Sequence, residues 1–382
     1  MRLLYDIRIR AILYQILAVA GVAYVGWYLY ANVVANLANK NIATGFAYLN
    51  REAGFAIGQH LIAYQASDTY GRALLVGVIN TFHVSVLAII LATVIGLMVG
   101  VARLSANPLL ARLMMLYVEA LRNVPLLLQL FLWYSIILFT LPTVREAFQP
   151  VPHVYLSNSG LVVPGLNWSW AKTGTLALMI TGIVVAFGWR KFAIAKRVLT
   201  GIEKPIWPIM LAIMLAFGLV GIVLFRPDWS VDWPEKGRFR LSGGLSLTPE
   251  FTALLVGLAL NASASVAETV RSGIQSVKKG QWEAGRAVGL HEGAIMRFII
   301  LPQALRVMIP PMTSQYLSLF KNSSLAVAIG YPDLVMVSTT TMNQTGQAIE
   351  GIAVFMVIYL SISIAISIFM NWYNARVALK GR

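Results

Sequence analysis

Thirty consecutive residues, Ala73 to Ala102, contain no Asp, Glu, Lys or Arg. Coiled as a helix, such a run is about 45 Å long, more than the ~30 Å hydrocarbon core of a bilayer. Lipid offers no water to backbone N–H and C=O groups, so the run can be buried there only as a helix, which satisfies its own hydrogen bonds. Seven further runs obey the same rule: Ala11–Ala31, Asn123–Val144, Thr173–Trp189, Pro205–Phe225, Phe251–Ala267, Val307–Pro332, which Lys321 interrupts, and Gly351–Ala375. With 58% hydrophobic and 12% charged residues, the chain holds more apolar surface than a soluble domain of 382 residues could hide. The sequence therefore predicts an all-α polytopic transmembrane bundle of eight spans. Ala11–Ala31 is too long for a signal peptide and no small-residue cleavage site follows it, so it reads as a retained first span.

An even number of spans puts both termini on one side, and the charges choose the side. With a cytoplasmic N-terminus, nineteen Lys and Arg fall in inward segments and nine in outward ones: Lys40, Arg51, Arg72, Arg145, Lys172, Arg226, Lys236, Arg238 and Arg240. That asymmetry follows the positive-inside rule. The net charge of +15 is then topology, and no nucleic-acid partner is expected. There is no cysteine, hence no disulfide and no thiolate metal site. The histidines at 60, 83, 153 and 291 are scattered without ligand spacing, so no metal is expected. The outward loops Pro142–Lys172 and Arg226–Glu250 carry Trp168, Trp170, Trp229 and Trp233, which read as interfacial anchors.

On this topology Glu268–Arg306 is the longest inward segment. Its centre, "GQWEAGRAVGLHEG", has helix formers after the breaker Gly280, the acidic Glu283 in the first turn, and Gly289 placed to end the helix. The small pair Ala284 and Gly285 lets another surface come close to the backbone. From physics alone this is equally a plain surface helix between spans.

The spacing of Glu283, Ala284, Gly285, Gly289, Ile299, Leu301 and Pro302 resembles the EAA loop of ABC-importer permeases, with Gly285 where that pattern usually has alanine. "SVAETVRSGIQSVKKGQWEAG", "YVEALRNVPLLLQLFLWY" and "LSLFKNSSLAVAIG" are similar to segments of the polar amino-acid permeases, with Asn123 and Val124 replacing the usual Gly and Thr. The resemblance implies an organisation in four parts: 1–72, an added first span and outward segment; 73–141, the first part of a type I importer permease core; 142–250, an insertion with two spans; and 251–382, the second part with the EAA loop at 268–306. The added span and insertion resemble the larger permeases of general L-amino-acid ABC transporters, the Q-type subunit more than the M-type.

The resemblance implies that Gln281, Glu283, Ala284, Gly285, Gly289 and Leu290 contact a cytoplasmic ATPase dimer. It further implies a second homologous permease subunit, a periplasmic amino-acid-binding protein, an L-amino acid as substrate, and a place in the bacterial inner membrane. The dipeptide Gly-Lys occurs nowhere in the chain, so there is no P-loop. The chain is therefore expected to be a transport subunit and not an enzyme, with no cofactor of its own and ATP and Mg held by the partner.

A charge inside a span is costly and so is a candidate functional group. Lys321 reads either as attracting a substrate carboxylate or pairing with Glu119 or Glu268, or as snorkelling or pairing with a neighbouring subunit. Asn322, Ser323 and Ser324 can bond a substrate or glue helices together. Arg122 reads as an anchor at the cytoplasmic end of the third span. Glu268 and Arg271, three apart, suit a local ion pair. The rival reading is a self-sufficient secondary transporter or channel, in which Lys321 and His83 couple ions and "MIPPM" breaks a helix. A scaffold with no transport path leaves the ordered inward segment without a purpose.

Overall fold

A computed structural model describes residues 7–39, 44–166, 169–201, 205–237 and 241–377. Of the positions named above, Lys40, Trp168, Arg238 and Arg240 lie outside them. Seven helices are long and apolar enough to cross a membrane, and a bent pair makes an eighth if it is one span. By contact, residues 135–252 form one compact unit and the rest of the chain another.

Helix α1 (Ile7–Asn39) is exposed along its described length. A loop then leads to α2 (Tyr70–Ala102), whose first turn is capped by Thr69 Oγ1 accepting from Arg72 N at 3.3 Å. Helix α3 (Pro108–Asn123) starts where the sequence reads as a link: Asn107 caps it through Leu109 N at 2.9 Å, and Pro108 sits in its first turn, where a missing N–H costs nothing. Helix α4 (Leu126–Phe139) follows after a 105° bend. The expected straight third span, Asn123–Val144, is thereby corrected. Pro125 has no N–H to continue the helix and forces Val124 into extended backbone (φ −97°, ψ 126°), so the apolar run is only the second arm of a broken pair.

The unit 135–252 holds β1 (Phe148–Val151), β2 (Val154–Ser157), β3 (Gly160–Val163) and β4 (Gly165–Leu166), then α5 (Trp170–Thr200) and α6 (Ile206–Phe225), then β5 (Val231–Asp232), β6 (Glu235–Lys236), β7 (Leu241–Ser242) and β8 (Leu245–Leu247). Helix α5 continues past Trp189, where the expected span ends, as far as Thr200. The two helices approach closely because glycines face bulk: a Cβ on Gly182 would lie 2.6 Å from Phe217 Cβ, and Thr175 Oγ1 donates to Gly221 O at 3.2 Å. The two aromatic loops are more than anchors. Strands β1, β2, β3 and β8 form an antiparallel sheet in which Leu161 faces Leu247 across the pair, so the loops from either side of the α5–α6 hairpin close on each other. Trp233 packs against His153 at 4.8 Å between ring centroids, the two rings tilted by 53°, while Trp170 is 90% exposed.

The remaining elements are α7 (Pro249–Gln275), α8 (Lys279–Ala287), α9 (Glu292–Ile295), a π-helical turn Met296–Ile300, α10 (Leu301–Asn322), a 3-10 stretch Ser323–Ile329, α11 (Leu334–Thr345) and α12 (Ala348–Val377). Pro310 and Pro311 lie inside α10 without ending it, so "MIPPM" is no break. In the larger unit, α2 is the axis. Its glycines let α7 in: a Cβ at Gly96 would fall 2.6 Å from Val266 Cβ, and one at Gly100 would fall 2.8 Å from Ala267 O and from Val270 Cβ. Near its start α2 takes the entry to α11. Thr81 Oγ1 accepts from Leu334 N at 3.0 Å, and Asn80 Nδ2 donates to Pro332 O at 2.9 Å and to Gln59 O at 2.8 Å. The segment before α2 completes this end, burying Tyr48, Ala53, Ile57 and Tyr64 with Tyr70, Leu74, Leu334 and Val337.

The α2–α7 contact has no room for a side chain at Gly100. Gly100→Leu is expected to cost about 1–3 kcal/mol by overpacking and to lower the melting temperature in detergent; a melting curve superimposable on the parent's would refute the close contact.

Candidate functional site

The inward segment folds around one short helix. Helix α8 begins at Lys279, one residue before Gly280, so Glu283 falls in the second turn rather than the first. Its end is a Schellman closure: Leu290 N donates to Gly285 O at 3.1 Å, Gly289 N donates to Arg286 O at 2.9 Å, and Gly289 has φ +81°. Gly289 is thus the helix stop its position suggested. Gly285 is not a surface residue. It is buried, and a Cβ there would lie 2.8 Å from Ile295 Cγ1, so the small residue serves packing within this chain. Trp282 packs beside it against the cluster of Ile295, Ile300 and Met308. Gln281 accepts from Gln303 Nε2 at 3.2 Å, and Arg286 pairs with Glu292 at 2.7 Å. With that inner face occupied, the outer face of Glu283, Ala284, Ala287 and Val288 is exposed, Val288 to 79%, and Leu290 stands at its edge.

Above α8, Glu268 binds two arginines rather than one. Arg271 Nη2 lies 2.5 Å from Glu268 Oε1, as the three-residue spacing suggests, and Arg103 at the end of α2 bonds Glu268 Oε2. The triad sits at the same end of the α2–α7 pair as Gly100. Only Ser276–Lys278 separate α7 from α8.

The break between α3 and α4 lies at a different depth from the one expected. Asn261, near the middle of α7, donates to Leu121 O at 3.3 Å, which places the end of α3 half-way along a span. Arg122 and Glu119, both exposed on that last stretch, are therefore at mid-span and not at the cytoplasmic edge. Gln129, almost fully buried, donates its Nε2 at 2.8 Å to both Leu121 O and Val124 O, carbonyls the bend has orphaned. Beside the break, Leu126, Asn261, Gln315, Ser318 and Asn322 line one small polar recess. Lys321 lines another cavity, of about 480 Å³, with Ser324, Phe355, Met356, Tyr359 and Ser363. Ser323 is in neither: it is buried, and its hydroxyl donates to Phe320 O at 2.7 Å.

Residues 198–379 match the model of the binding-protein-dependent transport system inner membrane component. The chain is 46% identical over 376 residues to YhdX of Escherichia coli (strain K12), covering 98% of this chain and 95% of that one. It is 43% identical over 381 residues to AapQ of Rhizobium johnstonii, a general L-amino acid transport system permease protein, covering 99% and 95% of the two chains. Against BztB of Rhodobacter capsulatus, a glutamate/glutamine/aspartate/asparagine transport system permease protein, it is 39% identical over 416 residues, covering 100% and 96%. The chain belongs to the amino-acid ABC transporter permeases. The rival of a self-sufficient secondary transporter falls with that membership.

In this permease, then, eight of the twelve candidate residues fall into three groups, with Lys321, Ser323, Glu119 and Arg122 outside them. Gln281, Glu283, Ala284, Gly289 and Leu290 belong to α8 and its cap, with Gly285 turned inward. Glu268 belongs to the ion triad. Asn322 joins a recess whose other polar members, Gln315, Ser318 and Asn261, were missed in the sequence; a polar side chain inside an apolar run was their only signal, and Gln129 carried the same one. Removing the carboxylate that separates Arg103 from Arg271 leaves two guanidinium groups facing each other. Glu268→Gln is expected to cost on the order of 3 kcal/mol and Glu268→Asp far less; equal melting temperatures for the parent and the Gln variant would show that the triad carries no such load.

Proposed function

We propose that this permease subunit of an amino-acid importer passes the closing motion of a cytoplasmic ATPase dimer from α8 to the α2–α7 pair. The observation that carries the reading is the capped helix itself. It is held rigidly on its inner face by Gly285 against Ile295 and left unpartnered on its outer face at Glu283, Ala284, Ala287 and Val288. A rigid helix three residues from α7 transmits displacement, and the Gly96 and Gly100 contacts together with the Glu268 triad make α2 follow. ATP is bound with Mg and hydrolysed in the partner, in keeping with the lack of a P-loop. A second homologous permease completes the path, a periplasmic binding protein delivers the L-amino acid, and both termini face the cytoplasm of a bacterial inner membrane.

The path for the amino acid runs past the recess at the α3–α4 break. Irregular backbone at membrane depth is tolerated where protein buries it or where it borders an aqueous cavity. Beside the recess, Arg122 at the end of α3 offers a positive charge to a carboxylate, and Gln315, Ser318 and Asn322, which line it, offer hydrogen bonds.

Two measurements test the reading. Ala287→Arg, a bulky charge on the outer face of α8, is expected to abolish copurification of the ATPase while the permease keeps its melting temperature; retained ATPase with full uptake would remove α8 as the docking element. Gln315→Leu is expected to raise the KM for uptake about tenfold, roughly 1.4 kcal/mol, with ATPase binding intact. An unchanged KM would take the recess out of the path.

A further inference from the structure

A cleft of about 530 Å³ between α2, α10 and α12 has no role in the reading above. Its wall is apolar and adaptable, with Leu97 from α2, Met308 and Met312 from α10 and Met370 from α12. Thioether side chains of this kind mould themselves to an irregular guest. Deep in the cleft, the hydroxyls of Thr93 and Tyr316 bond each other at 2.8 Å, so they ask nothing of an occupant. The polar groups gather at the other end, where Arg306 stands near the start of α10 and Tyr373 near the end of α12. Arg306 is only partly exposed, and among the described residues it has neither an ion pair nor a hydrogen bond. A guanidinium among transmembrane helices needs an anion to complete it.

From Arg306 to Tyr316 is ten residues of helix, about 15 Å of rise. That is half of a ~30 Å hydrocarbon core, the reach of one leaflet's acyl chain. We propose that the cleft is a binding site for one anionic phospholipid of the leaflet on the α8 side, with its phosphate on Arg306 and the Tyr373 hydroxyl and one acyl chain lying along Met308, Met312 and Leu97. The lipid lies across α2, α10 and α12, so it stabilises their arrangement beside the glycine contact of α2 with α7. Charge decides the occupant: a zwitterionic lipid satisfies the wall equally well but brings a second cation beside Arg306.

Native mass spectrometry of the detergent-solubilised complex with its ATPase tests this, after incubation with phosphatidylglycerol or phosphatidylcholine. The expected result is one retained phosphatidylglycerol per permease chain, not displaced by excess inorganic phosphate, and no retained phosphatidylcholine. Arg306→Gln should reduce retention about fivefold, which is the roughly 1 kcal/mol of one cation near an anionic surface at 1.4 kcal/mol per decade. Arg306→Lys should restore most of it. Met312→Trp, which fills the cleft without touching its charge, should abolish retention while the melting temperature of the lipid-free complex holds. Retention that is equal for both lipids, or unchanged in Arg306→Gln and Met312→Trp, overturns the proposal. So does a photoreactive phosphatidylglycerol that labels a second permease chain and never the peptides bearing Met308 or Met370.

Discussion

Inside hydrocarbon a backbone group has no water to fall back on, and at three irregular places among the described residues a side chain bonds the backbone instead. At the Pro125 bend the repair is Gln129, whose amide serves two carbonyls at once. At Pro302, which has no N–H to give, the preceding turn widens into a π helix with Leu301 N donating to Met296 O, and Gln303 Nε2 adds a bond to Ile299 O at 2.9 Å. Where the chain turns into α11, Asn80 and Thr81 of α2 do the same work for Pro332 and Leu334. The buried amides and hydroxyls therefore mark where a straight helix was given up. Those places include the polar recess and the π-helical turn that leads from α9 into α10.

Hydropathy made the spans legible because a helix in lipid must announce itself by length. It could not show that one run is half of a bent pair. Asn107-Pro108 and Val124-Pro125 both signal helix boundaries, but the apolar run Asn123–Val144 is long enough to mask them. The error moved Arg122 from mid-span to the membrane edge. The eight strands among the described residues of 135–252 were invisible for another reason. At two to four residues each, they are too short for alternation to register, and their pairing depends on bringing together loops some eighty residues apart. The helical reading of the fold stands, with this small β module added to it.

The inward segment was legible in outline and misread in detail. Gly289 could be placed as a stop because the conformation it needs, φ +81°, suits glycine above other residues. Gly285 carries the same absence of a side chain for a different reason, and sequence does not distinguish a glycine that admits a partner from one that admits its own chain. The contact with Ile295 decides for the second. Arg103 was likewise out of reach, since 165 residues separate it from Glu268 and only the glycine-lined approach of α2 to α7 joins them.

Lys321 and Asn322 are neighbours in sequence, yet about 100° of helical rotation sends them into different cavities. Electrostatic attraction and hydrogen bonding are thus assigned to separate compartments by azimuth alone. In descendants of this chain, a cation suited to a new neighbour on the α12 side can be exchanged without disturbing the amide that borders the recess. The two positions are free to drift on separate evolutionary schedules, although a single peptide bond links them.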